Sequence, residues 1–115
     1  MDERIYCLWL SMRLGAGSRS AVRLVRAAGS ARAVYEGLTD EICSEAKIRQ
    51  SSVVRLTEGR DLSDCEEILA ACDDGGITVL TPDMPEYPRS LCSLMDMPLV
   101  LFCKGRVPDF NNSFN

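Results

Sequence analysis

The sequence predicts a mainly α-helical fold that is followed by a short β-α-β unit. Three observations lead to this prediction: apolar residues recur at helical spacing through most of residues 1–74, the pair Gly75-Gly76 ends that pattern, and two short apolar runs stand at 77–80 and 99–103. Uninterrupted apolar runs are typical of strands that are covered on both faces, as in parallel sheets. We therefore expect two buried parallel strands joined by a short helix that begins near Pro88.

The helices of the first segment are predicted from apolar residues at one-face spacing and from capping or turn residues at their ends. They are expected over about residues 2–12 and 18–28, from Ser30, from Thr39, and over residues 62–72. Residues 44–57 have a weaker apolar pattern, which we interpret as broken at Ser51-Ser52.

Charge is distributed unevenly along the chain. Residues 1–60 hold ten Lys/Arg and seven Asp/Glu, whereas residues 61–115 hold three and ten. Five arginines and no acid stand between Arg13 and Arg32 inclusive. The N-terminal half is therefore suited to meeting a polyanion, and the C-terminal half is not.

A candidate nucleic-acid contact lies at the first helix junction. The segment Gly15-Ala16-Gly17-Ser18-Arg19-Ser20-Ala21 fits the Gly-h-Gly-x-x-x-Ala hairpin of helix-hairpin-helix DNA-binding modules. The glycines permit a tight turn close to a phosphate, and the next helix N-terminus presents free N–H groups to the anion. The candidate DNA-binding residues are Gly15, Gly17, Ser18, Arg19, Arg23 and Arg26. The alternative is that the glycines only turn the chain and the arginines form a solvated face.

The sequence favours no catalytic or metal site. Because the chain has no histidine, Ser-His-Asp and Cys-His arrangements are excluded within it. The six cysteines contain no Cys-x-x-Cys pair, so we expect buried thiols in a reducing compartment and no zinc. We expect no enzyme activity, no cofactor, no small-molecule substrate and no membrane segment, and a cytoplasmic location.

The second segment resembles the DNA-processing protein family DprA, also called Smf. The residues that carry the resemblance are Val79, Leu80, Thr81, Tyr87, Pro88, Leu91, Asp96, Pro98, Leu101, Phe102, Lys104 and Gly105. The resemblance implies that Tyr87, Pro88, Asp96, Pro98, Lys104 and Gly105 are framework residues. It also implies a helix-hairpin-helix or SAM-like helical domain over residues 1–74, the start of a Rossmann-like domain over residues 75–106, and a polar tail over residues 107–115.

The family resemblance implies a function for the whole protein: single-stranded DNA binding, self-association, and loading of the RecA recombinase during natural transformation. The family's Ile-Val-Gly-Ser/Thr-Arg turn, near its main DNA pocket, does not occur in these 115 residues. We therefore expect an N-terminal fragment that binds DNA weakly or not at all, and that forms a homo-oligomer through its incompletely covered strands. Two alternatives are a stand-alone helix-hairpin-helix DNA-binding module and a purely structural or protein-interaction domain.

Overall fold

The computed structural model describes residues 2–15 and 17–111, except for the side chain of Asp40. The described residues form six α-helices, one short 3₁₀ helix and a two-stranded sheet, so the prediction of a mainly helical chain is confirmed. The helices are α1 (Glu3–Leu14), α2 (Arg19–Ala28), α3 (Ala31–Gly37), α4 (Asp40–Ala46), α5 (Gln50–Glu58) and α6 (Ser63–Asp74). The strands are β1 (Ile77–Leu80) and β2 (Leu101–Lys104), with the 3₁₀ helix Arg89–Ser93 between them.

Side-chain caps explain where the first four helices begin. In each case a polar side chain just before the helix accepts a hydrogen bond from a backbone N–H group of the first turn, which otherwise has no partner inside the helix. The pairs are Asp2 with Arg4 (3.0 Å), Ser18 with Ala21 (3.2 Å), Ser30 with Ala33 (3.0 Å) and Thr39 with Ile42 (3.2 Å). The predicted helix starts at Ser18, Ser30 and Thr39 are confirmed.

The predicted break at Ser51-Ser52 is wrong, because both serines lie in the first turn of α5. The interruption falls instead at Lys47, whose backbone has the left-handed conformation (φ 56°, ψ 52°) and ends α4. Its N–H group donates to the carbonyls of the last turn, as a left-handed helix cap does.

The two strands pair antiparallel, which overturns the expectation of a parallel β-α-β unit. Leu80 lies opposite Leu101 and Ile77 lies opposite Lys104. A parallel pair needs a long crossover, usually an α-helix, but the connection here contains only the five-residue 3₁₀ helix and folds back on itself. The second strand is also not covered on both faces, since the side chain of Phe102 is 56% exposed.

One hydrophobic core contains residues from both segments. Leu10 of α1 and Leu24 of α2 are fully buried in the same cluster as Val79 of β1 and Leu99, which precedes β2. The predicted boundary near residue 74 therefore separates helices from strands but does not separate two cores. The hairpin residue Ala16 and the tail residues 112–115 lie outside the described part of the chain.

An aromatic cluster joins distant parts of the helical segment. The indole N–H of Trp9 donates to the carbonyl of Gly59, and the ring of Tyr35 meets the Trp9 ring edge-on at 4.9 Å. The guanidinium of Arg60 lies 4.0 Å from the centroid of the Tyr35 ring and donates to the Tyr35 carbonyl, while the Tyr35 hydroxyl donates to the Arg60 carbonyl (2.8 Å). These contacts fix α1, α3 and the α5–α6 connection to one another.

The longest helices in the described part of the chain, α1 and α6, have twelve residues each. A bilayer crossing needs about twenty apolar residues, so neither helix is long enough to span a membrane, and no other described helix is.

Candidate nucleic-acid interface

The turn between α1 and α2 is built from the predicted hairpin residues. Gly15 ends α1 with φ 98°, and its N–H group donates to the carbonyl of Ser11 (2.9 Å). Gly17 has φ 69°, and Ser18 then caps α2. Side chains other than glycine rarely adopt such positive φ angles, so both glycines are needed for so short a turn. The turn brings Gly15, Gly17, Ser18 and Arg19 together at the N-terminus of α2.

The segment before β2 packs against this hairpin. A Cβ atom at Gly17 would lie 3.4 Å from the backbone carbonyl oxygen of Asp96. The Nη2 atom of Arg26 donates to the carbonyls of Cys92 (2.9 Å) and Leu94 (3.0 Å). Residues 92–96 therefore hold the hairpin and α2 in place, and Arg26 has a structural role that its position on α2 alone did not indicate.

The five arginines between residues 13 and 32 divide into two groups. Three bond within the chain: Arg13 donates to the carbonyl of Arg55 (3.2 Å), Arg26 to the two carbonyls named above, and Arg32 to the carboxylate of Glu36 (3.1 Å). Arg19 is exposed and Arg23 is half-buried, and neither has a hydrogen-bond or ionic partner among the residues that the structure describes. These two side chains are the cations of the predicted set that remain uncommitted.

The framework residues pack and turn the chain. Tyr87 is fully buried, and its hydroxyl donates to the carbonyl of Pro98 (2.5 Å). Burial raises the pKa of the Tyr87 hydroxyl to about 12. Gly105 has φ 78° and donates its N–H to the carbonyl of Gly76 (3.0 Å), which closes the open end of the sheet.

The remaining framework residues are Pro88, which is buried, and Asp96 and Lys104, which are exposed. Within the predicted polar tail of residues 107–115, Asn111 is bound to the same loop. Its side chain accepts the N–H of Arg89 (2.8 Å) and donates to the carbonyl of Tyr87 (3.1 Å).

A cationic cleft between α2 and α4 was not predicted from the sequence. It has a volume of about 330 Å³ and is lined by Arg23, Arg26, Ala27, Glu45, Ala46 and Lys47. The arginines belong to the predicted set, but Lys47 lies in the segment 44–57, whose apolar pattern is weak. The lysine at position 47 was the one available signal, and it does not by itself indicate that α4 packs beside α2.

Comparison of the chain with protein-family models, curated proteins and solved structures finds no match. Within residues 2–15 and 17–111, no three His, Cys, Asp or Glu side chains are grouped as a metal site requires. The chemistry of the candidate site is therefore that of a helix N-terminus with two uncommitted arginines beside it.

Proposed function

We propose that this chain is the N-terminal helical part of a DprA-like DNA-processing protein, and that its hairpin makes a weak, sequence-independent contact with a nucleic-acid backbone. The observation that carries the proposal is the placement of Gly15, Gly17 and Ser18 at the N-terminus of α2, with Arg19 and Arg23 uncommitted beside it. Helix N-termini receive phosphates through their free N–H groups, and arginine adds charge-assisted hydrogen bonds.

The proposal extends to the partners that the family resemblance implies. The ligand is single-stranded DNA, and the whole protein delivers that DNA to RecA in the cytoplasm without catalysing a reaction. All six cysteines remain thiols in the structure, which suits a reducing compartment. Few cations take part, so the affinity of this part alone is low, and because it comes from phosphate contacts it falls as the salt concentration rises.

A second candidate is a structural or protein-interaction domain that never touches DNA. It is favoured by Arg13 and Arg26, whose side chains donate to backbone carbonyls of other elements and so help to hold those elements together. A stand-alone helix-hairpin-helix DNA-binding module is a third candidate, and it predicts the same contact with higher affinity. Binding measurements separate all three.

The test is the anisotropy of a fluorescent oligo-dT strand, measured with the 115-residue protein between about 20 and 200 mM salt. The doubly substituted protein Arg19→Glu/Arg23→Glu should no longer bind the strand. The matched control, Arg49→Glu/Arg55→Glu, makes the same charge change at two exposed arginines, one just before α5 and one within it, and should still bind the strand. Charge reversal is preferred to substitution of Gly17, because a side chain at φ 69° would strain the turn itself.

Each outcome selects one candidate. Loss in the first variant only, with wild-type binding confined to low salt, supports the proposal, whereas tight binding at 200 mM salt indicates the stand-alone module. If the wild-type protein does not bind the strand at low salt, the hairpin contact is refuted and the structural domain is favoured. The same conclusion follows if both variants bind the strand equally weakly.

A further inference from the structure

The cleft between α2 and α4 brings three cations together from two elements. Arg23 and Arg26 lie on α2, one helical turn apart, and Lys47 ends α4 on the opposite wall. The cleft also contains one acid, Glu45. The described lining therefore has two net positive charges, although the whole chain has a net charge of −4.

Arg26 is held in a fixed position at this cleft. Its Nη2 atom donates to the carbonyls of Cys92 and Leu94, while Nη1 and Nε have no partner among the described residues. A guanidinium has five N–H donors, so three remain for an anion. Because the side chain is already ordered by the two carbonyls, binding through those donors sacrifices little further conformational entropy.

Lys47 has an unusual backbone conformation. It is the one non-glycine residue with positive φ among the described residues. Glycine or asparagine is the usual residue at a left-handed helix cap, because a Cβ atom there lies too close to the following carbonyl oxygen and asparagine offsets this cost with a local hydrogen bond. A lysine at this position adds a cation to the lining of the cleft in spite of that strain.

We infer that the α2–α4 cleft is a second phosphate-binding site, which receives the nucleic-acid strand after it passes the hairpin. The inference rests on the proposed function, because the cleft continues the same face of α2. The axial rise from Arg19 to Arg26 is roughly 10 Å at 1.5 Å per residue, which is longer than the spacing of two neighbouring phosphates in one strand. The ligand class is thus a continuous phosphodiester backbone that lies along α2, and the cleft extends the site beyond the hairpin to α4.

The test compares the two lysines of the chain in the same oligo-dT measurement. Removing one phosphate contact should reduce the salt slope by about 0.7 and weaken binding roughly five- to tenfold at 50 mM salt. We expect this change for Lys47→Gln and not for Lys104→Gln, which removes an exposed lysine of β2. Glu45→Gln should strengthen binding, since it removes the one acid among the described lining residues of the cleft.

The variant Lys47→Gly separates an effect on binding from an effect on folding. Glycine suits φ 56°, so this variant should unfold at a higher urea concentration than the wild-type protein while it binds as weakly as Lys47→Gln. If both Lys47 variants bind like the wild-type protein while Arg19→Glu/Arg23→Glu weakens binding, the cleft is not a phosphate site and the hairpin proposal survives. If the wild-type protein shows no salt-dependent binding, the cleft inference fails together with the proposed function.

Discussion

At the scale of single residues, Tyr87 makes the stability of the fold depend on alkaline pH. Its hydroxyl is buried against the Pro98 carbonyl, and burial raises its pKa to about 12. An unfolded tyrosine loses its proton near pH 10, roughly two units lower. Between these values the unfolded chain binds fewer protons than the folded chain, so the free energy of unfolding falls as the pH rises.

We predict that the wild-type protein loses about 2–3 kcal/mol of stability through this group between pH 10 and pH 12. Tyr87→Phe should be less stable by about 1 kcal/mol at pH 7, because the hydrogen bond to Pro98 is lost, but its stability should fall less steeply above pH 10. Urea unfolding at several pH values measures both effects. If the stability of both proteins falls equally steeply with pH above 10, Tyr87 ionises with an ordinary pKa in the folded state.

The cysteines give a second prediction at this scale. Cys7, Cys43, Cys65 and Cys72 are buried, whereas Cys92 and Cys103 are half-buried. Burial also raises the pKa of the Cys7 and Cys65 thiols, which lowers the fraction of reactive thiolate. A thiol reagent at neutral pH should therefore label two cysteines first and the other four only after denaturation. Rapid labelling of Cys65 or Cys72, identified by peptide mass, would contradict the buried face of α6.

At the scale of elements, the third helix depends on a carboxylate from the first. The two oxygens of Glu3 accept the N–H groups of Ala31 (2.7 Å) and Arg32 (3.1 Å), which are the first two residues of α3. Ala31 is fully buried, so its N–H group has no access to water as a substitute partner. Glu3 therefore docks α3 against α1 as well as capping it.

We predict that Glu3→Ala destabilises the protein by about 1–2 kcal/mol, because two helix N–H groups lose their acceptor. The control is Glu36→Ala, which removes an exposed ion pair with Arg32 and should change stability by less than about 0.5 kcal/mol. Thermal and urea unfolding measure the difference. Similar losses in both variants would mean that the Glu3 contacts contribute no more than a surface ion pair.

The elements also show what a sequence can and cannot predict. The starts at Ser18, Ser30 and Thr39 were predictable because a cap involves residues only three positions apart. The orientation of β2 was not, since it depends on the path of residues 81–100 and on which helices cover the strand. An apolar run such as Leu99–Cys103 has the same letters in a parallel or an antiparallel pair.

The candidate site divides in the same way. The hairpin turn was visible in Gly15 and Gly17, whose spacing is local and whose positive φ angles the structure shows. The bonds from Arg26 to Cys92 and Leu94 join residues more than sixty positions apart. No periodic pattern in the sequence indicates contacts over such a separation. The cleft at Lys47 needs two helices to pack side by side, which only the tertiary structure reveals.

At the scale of the whole molecule, an apolar groove lies between α1, α6 and β2. Leu8, Met12, Ile68, Val100 and Phe102 are among the residues that line it, and Met12 and Phe102 are 48% and 56% exposed. Among the described residues the sheet has two strands, so neither strand has a second neighbour there. Exposed apolar groups beside an open strand edge favour association between molecules.

We predict that the protein self-associates at high concentration through this groove, with a second copy as the partner. Phe102→Lys should shift the equilibrium to monomer, because burial of such a side chain contributes roughly 1.5–3 kcal/mol. Phe102 is a better target than the half-buried Leu101, whose substitution would disturb the fold. Met95→Lys, at another residue that is 57% exposed, serves as the control. A wild-type protein that sediments as a monomer at every concentration would exclude this assembly.

The core that unites both segments has a consequence for the order in which the molecule can form during synthesis. The apolar side chains of α1 leave the ribosome well before the strands do, yet they share one buried cluster with Val79 and Leu99. About ninety residues separate Leu10 from Leu99, so at 5–20 residues per second the first helix waits roughly 5–20 s for its last partners. During that interval Trp9 and Leu10 are without their complete cover. The nascent chain should therefore be most prone to aggregation, and most dependent on chaperones, after its helices have emerged and before β2 has.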